Sequence, residues 1–202
     1  MQSVVLVSDM HGHLGDTRYM DDWRDWWSAQ GFAVGRVYMD ELLPELYELG
    51  ETVQQERLHA MLTLDDVADR ARQALLKRLQ FPSPEIVLGF SYGGFLAATV
   101  HQHLGTEVSV MCISATRLRH ALPLSASPRV HALFGANDPF TPPAQPMLGA
   151  GLMVTTVPGH GHEVYRHPEV CAPHIVNALP LRYRKGPPTS ATLSSANPAR
   201  RP

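Results

Sequence analysis

The chain has 202 residues, of which 44% are hydrophobic and 18% charged, and its formal net charge is -2. This length fits one domain with a sizeable buried core and makes a second catalytic domain unexpected. The nearly balanced charge provides no basic field, so neither nucleic acid nor a membrane surface is expected as a partner. The first apolar run, residues 4–7, is too short for a signal peptide or a membrane span, and we expect a cytoplasmic protein.

The first third of the chain alternates apolar runs with helical patterns. Residues 4–7 are predicted to form a strand, and apolar side chains at helical spacing predict a helix over residues 18–30. Three tryptophans in this helix are expected to pack in the core rather than to form a substrate cage. Gly31 ends the helix, and residues 32–38 are predicted to form a second strand, which completes a strand-helix-strand opening.

Two helices are predicted between residues 39 and 79. Thr52-x-x-Gln55 offers a capping box for a short helix, and Thr63-x-x-Asp66 predicts the start of a longer amphipathic helix. Residues 39–51 also carry five acidic side chains and no Lys or Arg. A solvated acidic face is the expected role of these side chains, although beside a pocket they would disfavour anionic substrates.

The most informative stretch lies between residues 85 and 104. An apolar run over residues 85–90 predicts a buried strand, and residues 92–104 have a helical pattern. Between them stands Gly89-x-Ser91-x-Gly93, a motif in which the serine occupies a strained turn from strand to helix. The glycines suit so tight a turn, because a side chain at either position would collide with the neighbouring strand or helix.

Three more strands are predicted after this motif, over residues 108–113, 129–134 and 152–157, and a last helix over residues 169–179. Strands separated by helical crossovers form a mostly parallel sheet, and ligands of such sheets bind beyond the carboxyl ends of the strands. The loops with Asp138 and His162 both follow predicted strands, so we expect them to lie at the same sheet edge as Ser91.

The domain is predicted to cover residues 1–184. Residues 185–202 are rich in Pro, Ser and Ala and have almost nothing to bury, so we expect a disordered C-terminal tail.

A serine hydroxyl is a poor nucleophile at neutral pH, so it needs a base within hydrogen-bond reach and a third group that orients this base. The chain supplies both downstream, in the order Ser91, Asp138, His162. His160 competes with His162 as the base. Asn137 competes with Asp138, but an amide would leave a protonated imidazole without a compensating charge.

These motifs and their order resemble the α/β-hydrolase superfamily over residues 3–180. Gly89-Phe90-Ser91-Tyr92-Gly93 is similar to its nucleophile elbow, residues 135–140 to its acid loop and residues 158–162 to its histidine loop. The resemblance implies a reduced α/β-hydrolase fold: about six mostly parallel strands, helices on both faces and no cap domain. It also implies that Ser91 is the nucleophile, Asp138 the orienting acid, and His162, after the second glycine of its loop, the base.

The loop after the first strand adds a narrower resemblance. Ser8-Asp9-Met10-His11-Gly12 resembles the dienelactone hydrolase branch of the superfamily, in which an acidic residue precedes a backbone donor. The resemblance implies an oxyanion hole formed by the N–H groups of Met10 and Tyr92, whereas an alignment as a His-Gly motif would make His13 the donor. Because this branch carries cysteine where the chain has Ser91, its lactone chemistry is not implied.

The sequence therefore predicts a serine hydrolase without cofactor or metal, acting on a small-molecule ester or thioester of a small to medium acyl group. A calcineurin-like metallophosphoesterase is one alternative, since Asp9-x-His11 and His160-x-His162 resemble its first and last motifs. The middle of that pattern is missing, because Asp66 and Asp69 lie within a helical pattern. A non-catalytic α/β-hydrolase-like binding protein is another alternative. Nothing in the sequence indicates the oligomeric state.

Overall fold

The computed structural model describes residues 2–47, 55–80, 82–122 and 129–183. All six predicted strands are present in these ranges, each within one residue of its expected bounds, and they form one sheet in the order β2-β1-β3-β4-β5-β6. Every neighbouring pair is parallel. The strands are β1 (Ser3–Val7), β2 (Ala33–Val37), β3 (Ile86–Phe90), β4 (Ser109–Ile113), β5 (Val130–Gly135) and β6 (Met153–Val157). The predicted parallel sheet is confirmed.

Eight α-helices lie in the same ranges, and none of them is long and apolar enough to cross a lipid bilayer. Helices α2, α3 and α7 have no counterpart in the sequence prediction, because they have only four to six residues each and both α3 and α7 contain a proline. The helices are α1 (Arg18–Ala29), α2 (Met39–Leu42), α3 (Pro44–Tyr47), α4 (Gln55–Leu62), α5 (Asp65–Leu79), α6 (Tyr92–Val100), α7 (Ala144–Gly149) and α8 (Pro168–Ala178).

The start of helix α5 differs from the prediction. Thr63 does not cap this helix, because its hydroxyl donates a hydrogen bond to the carbonyl oxygen of Ala60 in helix α4. Leu64 is the N-cap residue instead, and Asp65 and Asp66 occupy the first turn, where the helix dipole favours negative charge. Thr63 therefore closes the preceding helix. The predicted Thr52 capping box and the predicted tail lie outside the described residues.

The helices cover both faces of the sheet, as predicted. Helices α5 and α6 pack on one face, and α1 and α8 pack on the other. Trp23 and Trp27 are buried in the second layer, and the indole N–H of Trp23 donates to the carbonyl oxygen of Tyr165 at 2.7 Å. The tryptophans thus belong to the core. Within the described ranges, no connection between strands forms a cap domain.

The order of the strands fixes where a ligand can bind. Strand β1 pairs with β2 on one side and with β3 on the other, so the chain winds outwards in two directions from the β1–β3 pair. At such a point the connections leave to opposite sides and open a crevice beyond the carboxyl ends of the strands. The loop after Val7 and the turn after Phe90 face each other across this crevice.

Candidate active site

Ser91 occupies the turn between β3 and α6 in a strained conformation, with φ 49° and ψ -112°. A non-glycine residue with positive φ is uncommon and costs free energy that the surrounding structure must supply. Here the N–H of Ser91 donates to the carbonyl oxygen of Ile113 at 2.8 Å, which ties the turn to strand β4. The serine is therefore held at the end of β3 by its neighbouring strand.

The two motif glycines are required by close backbone contacts. A Cβ atom on Gly93 would lie 2.2 Å from the carbonyl oxygen of Ser8 and 2.6 Å from that of Val7. A Cβ atom on Gly89 would lie 2.6 Å from the Cα atom of Gly94. Since backbone atoms cannot move aside as a flexible side chain can, the predicted reason for these glycines is confirmed.

The structure brings Ser91, His162 and Asp138 into one chain of hydrogen-bond contacts. The Oγ atom of Ser91 lies 3.2 Å from Nε2 of His162, and Nδ1 of His162 lies 2.9 Å from Oδ2 of Asp138. The Asp138 side chain is fully buried, and its Oδ1 accepts the N–H of Phe140 at 2.9 Å. A carboxylate at Nδ1 favours the tautomer that carries its proton there, which leaves the Nε2 lone pair towards Ser91.

The competing residues from the histidine and acid loops lie outside this chain of contacts. The ring of His160 faces that of His167, with 5.8 Å between the ring centroids. The Asn137 side chain is exposed, and its N–H donates to the carbonyl oxygen of His160 at 2.8 Å, which joins the two loops. Neither side chain is placed where it could replace His162 or Asp138.

Ser114, at the carboxyl end of β4, also belongs to the site, although its sequence context did not single it out. It is the second non-glycine residue with positive φ in the described residues, at 55°. The side chain is fully buried, and its hydroxyl donates to the carbonyl oxygen of His162 at 2.6 Å. Ser114 therefore fixes the main chain of the residue whose imidazole faces Ser91.

The two backbone N–H groups expected to form an oxyanion hole, those of Met10 and Tyr92, have no hydrogen-bond partner among the described residues. Tyr92 is the first residue of helix α6, so its N–H has no partner within the helix. In the loop after β1, no hydrogen bond to the N–H of Met10 is found among the described residues. The N–H of His13, the alternative donor, is already bonded to Oδ1 of Asp40 at 2.8 Å. The free N–H of Met10 makes Met10 a better candidate than His13 for the second donor of an oxyanion hole, beside the N–H of Tyr92.

Tyrosine hydroxyls hold this loop in place. The Tyr165 hydroxyl donates to Oδ2 of the buried Asp9 at 3.1 Å, and the N–H of Asp9 donates to the Tyr19 hydroxyl at 2.9 Å. The Tyr47 hydroxyl donates to the carbonyl oxygen of Met10 at 2.5 Å. Burial raises the pKa of all three tyrosines, so their hydroxyls stay protonated and act as neutral hydrogen-bonding groups.

The residues of the metallophosphoesterase pattern are placed differently from a metal centre. Asp9 accepts hydrogen bonds from Tyr165 and from the N–H of His11, and His162 lies between Ser91 and Asp138. Across the described part of the chain, no group of three or more His, Cys, Asp or Glu side chains is arranged to hold a metal ion.

The parallel sheet, the strained serine at the end of β3 and the acid and histidine loops after β5 and β6 together define an α/β-hydrolase fold. Comparison with solved structures agrees on this class.

No protein-family model and no curated protein sequence matches the chain.

Solved structures do match. A protein from Xanthomonas campestris pv. campestris assigned to the α/β superfamily of hydrolases is similar with a TM-score of 0.62 at 16% identity, over 89% of this chain and 100% of that one. A dienelactone hydrolase from Anabaena variabilis is similar with a TM-score of 0.55 at 16% identity, over 88% and 84%. A metagenome-derived lipolytic enzyme reaches a TM-score of 0.56 at 13% identity, over 88% and 93%. At these identities the likeness shows the fold alone.

Proposed function

We propose that this protein is a serine hydrolase that cleaves a carboxylic ester or thioester of a small to medium acyl group. The hydrogen-bond chain of Ser91, His162 and Asp138 at the carboxyl edge of the sheet carries the proposal. The names of two structural neighbours, a dienelactone hydrolase and a lipolytic enzyme, agree with ester cleavage.

The first half-reaction forms an acyl-enzyme. Nε2 of His162 accepts the proton of Ser91 as Oγ attacks the substrate carbonyl carbon, and the buried Asp138 carboxylate stabilises the imidazolium that results. The N–H groups of Met10 and Tyr92 donate to the oxyanion that develops on the carbonyl oxygen. The bond to the leaving group then breaks, and the imidazolium protonates the departing alcohol or thiol.

The second half-reaction releases the acid. His162 accepts a proton from water, the resulting nucleophile attacks the acyl carbon, and the same two N–H groups hold the second oxyanion. Collapse of this intermediate returns the proton to Ser91 Oγ and frees the carboxylic acid. Every proton transfer is thus assigned to His162, and no cofactor is required.

Replacement of the nucleophile tests this proposal. Ser91→Ala should lower kcat for ester hydrolysis by about 10⁴ to 10⁶ while the circular dichroism spectrum stays unchanged, because the hydroxyl contributes to chemistry and not to the core. His162→Ala should lose activity to a similar extent. His160→Ala is the matched control from the same loop, and a larger loss in that variant would overturn the assignment of the base.

A fluorophosphonate probe separates the candidate functions. Covalent labelling at Ser91 supports the serine hydrolase. No labelling together with no turnover of any ester would indicate a non-catalytic binding protein, and activity lost to a chelator and restored by Mn²⁺ would indicate a phosphoesterase.

A further inference from the structure

Arg117 lies at the same sheet edge as the nucleophile but has no role in the chemistry above. It stands in the 3₁₀ helix Thr116–His120, which follows strand β4. The carbonyl oxygen of Ile113, the last residue of that strand, accepts the N–H of Ser91. Arg117 thus follows Ile113, which contacts the strained turn directly, by only four residues in the sequence.

Two aromatic rings on helix α6 flank the guanidinium group. The Cζ atom of Arg117 lies 5.5 Å from the ring centroid of Phe95 and 6.0 Å from that of Tyr92. The Tyr92 hydroxyl donates to the carbonyl oxygen of Leu62 at 2.9 Å, so this ring is fixed in place. The guanidinium is thus held against the side chain of the residue that follows the nucleophile.

Among the described residues, the Arg117 cation has no anionic partner. Within the described ranges Arg117 makes no ion pair, and its Nε atom is buried without a hydrogen-bond partner. Asp65 acts on Arg117 only through a weak electrostatic attraction that opposes the fall of its pKa, and it forms no salt bridge with Arg117. By contrast, Arg72 on the adjacent helix α5 pairs with Asp69 at 2.6 Å. Burial lowers the pKa of Arg117, as expected for a cation that loses water without gaining a counter-charge.

Aromatic faces satisfy a guanidinium only in part. Its five N–H donors point outwards in the plane of the group, where ring faces cannot accept them. Arg117 is half-buried, and its Nε donor is buried without an acceptor, which costs free energy that a bound anion would recover. A guanidinium also matches the two oxygens of a carboxylate or a phosphate with parallel hydrogen bonds.

The acidic segment, residues 39–51, is described only over residues 39–47, and the carboxylates of that part do not neutralise Arg117. Asp40 is paired with His13 at 2.8 Å, and Glu45 is paired with Arg70 at 2.5 Å. The Glu41 carboxylate lies 3.9 Å from the Arg78 guanidinium, so all three carboxylates in the described part of this segment have partners other than Arg117.

We propose that Arg117 binds an oxyanion, a carboxylate or a phosphate, carried by the acyl chain or by the leaving group of the substrate. This inference rests on the proposed function and narrows its substrate class to anionic esters or thioesters. The neutral part of the substrate then reaches Ser91 while its charged end is held beside Tyr92 and Phe95.

Two matched pairs of substrates test the inference and locate the anion. The first pair is 4-nitrophenyl valerate and the mono-4-nitrophenyl ester of glutaric acid, which differ by a terminal carboxylate. The second pair is the butyryl thioesters of pantetheine and of 4′-phosphopantetheine, which differ by the phosphate of the leaving group. Arg117→Gln is compared with Arg119→Gln, an exposed arginine of the same 3₁₀ helix.

For one of the two pairs, Arg117→Gln should lower the ratio of kcat/KM for the anionic over the neutral substrate at least about tenfold. Arg119→Gln should leave that ratio within twofold, and Arg117→Lys, which keeps the charge but loses the planar fork, should recover part of it. The pair that responds shows whether the acyl chain or the leaving group carries the anion. Unchanged ratios in both pairs would overturn the inference.

A binding measurement keeps this test separate from the proposed function. Ser91→Ala should bind the glutaric monoester or butyryl 4′-phosphopantetheine in a calorimetric titration, and the added Arg117→Gln change should weaken that binding at least about tenfold. No turnover of any ester by the unmodified protein would reject the hydrolase, whereas equal affinity of the single and double variants, or no binding by the single variant, would reject the subsite. A thermal melt of each variant verifies that it is folded.

Discussion

Ser91 and Ser114 both hold positive φ angles, and both contact His162. Ser91 faces the imidazole through its hydroxyl, while Ser114 bonds the main-chain carbonyl oxygen of the same histidine at 2.6 Å. Strain stored in buried, well-packed residues tends to occur where a structure must fix a geometry. In the proposed function, one serine is the nucleophile and the other holds the histidine that acts as its base.

Removal of the Ser114 hydroxyl should lower activity more than substrate binding. We expect Ser114→Ala to reduce kcat about tenfold with KM within twofold, because the His162 carbonyl oxygen loses a hydrogen bond worth about 0.5–1.5 kcal/mol and the imidazole is less well placed. Steady-state kinetics with a neutral ester measures the effect. Ser114→Gly removes the same hydroxyl but relieves the positive φ, and it should lose kcat to a similar extent. Full activity in the glycine variant would contradict a positioning role.

The sequence predicts site residues that belong to motifs. It does not predict residues such as Ser114 that hold the motif residues in position. Ser91, Asp138 and His162 each stand at a fixed place after a strand, and the structure brings them together. Ser114 and Arg117 follow strand β4 without a recognisable pattern. Their surroundings come from the His162 loop and from helix α6, so only the folded chain reveals them.

The loop between β1 and α1 is held by three tyrosines from different elements. Tyr19 comes from helix α1, Tyr47 from α3, and Tyr165 from the 3₁₀ helix His162–Arg166. Their hydroxyls bond Asp9 or the carbonyl oxygen of Met10. The proposed oxyanion donor thus sits on a short loop that has anchors on both sides of the sheet.

Loss of one anchor should affect the chemical step. Tyr47→Phe removes the hydrogen bond to Met10, and we expect kcat to fall about three- to tenfold with little change in KM, because an oxyanion donor acts mainly in the transition state. Kinetics at saturating ester gives the result. Tyr183→Phe, a buried tyrosine in the opposite helical layer, is the matched control and should keep kcat. Equal losses in the two variants would indicate a general effect on stability.

Elements were predictable where periodicity was strong. The six strands and helices α1, α6 and α8 follow from apolar runs and helical spacing, although α6 ends at Val100 and continues as a 3₁₀ turn rather than reaching residue 104. Helices α2, α3 and α7 do not follow from periodicity, since none of them has more than six residues. The predicted start of α5 is wrong, because the Thr63 hydroxyl donates to the carbonyl oxygen of Ala60 in the preceding helix. The spacing of residues does not show whether such a hydroxyl caps the helix before it or the helix after it.

For the molecule as a whole, a buried histidine couples stability to pH. His131 on strand β5 is buried, its Nε2 lies 2.8 Å from the Thr155 hydroxyl, and burial with the nearby His174 lowers its pKa to about 4. The unfolded chain, with an ordinary histidine pKa of 6.5, binds this proton more readily than the folded chain. Stability from this group is therefore complete above pH 6.5 and is lost as the pH falls from 6.5 towards 4.

The expected size of this effect is about 2 kcal/mol less free energy of unfolding at pH 5 than at pH 7. Urea unfolding at the two pH values measures it. His131→Gln should remove most of the difference between pH 5 and pH 7, whereas His103→Gln, at an exposed position, should leave it unchanged. A pH dependence that survives in His131→Gln would show that other groups are responsible.

The close approach of Gly93 to the carbonyl oxygens of Val7 and Ser8 also bears on how the protein folds. That contact joins strand β1 to helix α6, which lies in the middle of the chain. His162 follows β6, so it reaches the site only when this last strand has docked. In a chain that has formed β1, β3 and α6 but has not yet docked β6, Ser91 would be held in place while His162 is still absent from the site. During refolding, ester hydrolysis should consequently recover only when the C-terminal elements dock.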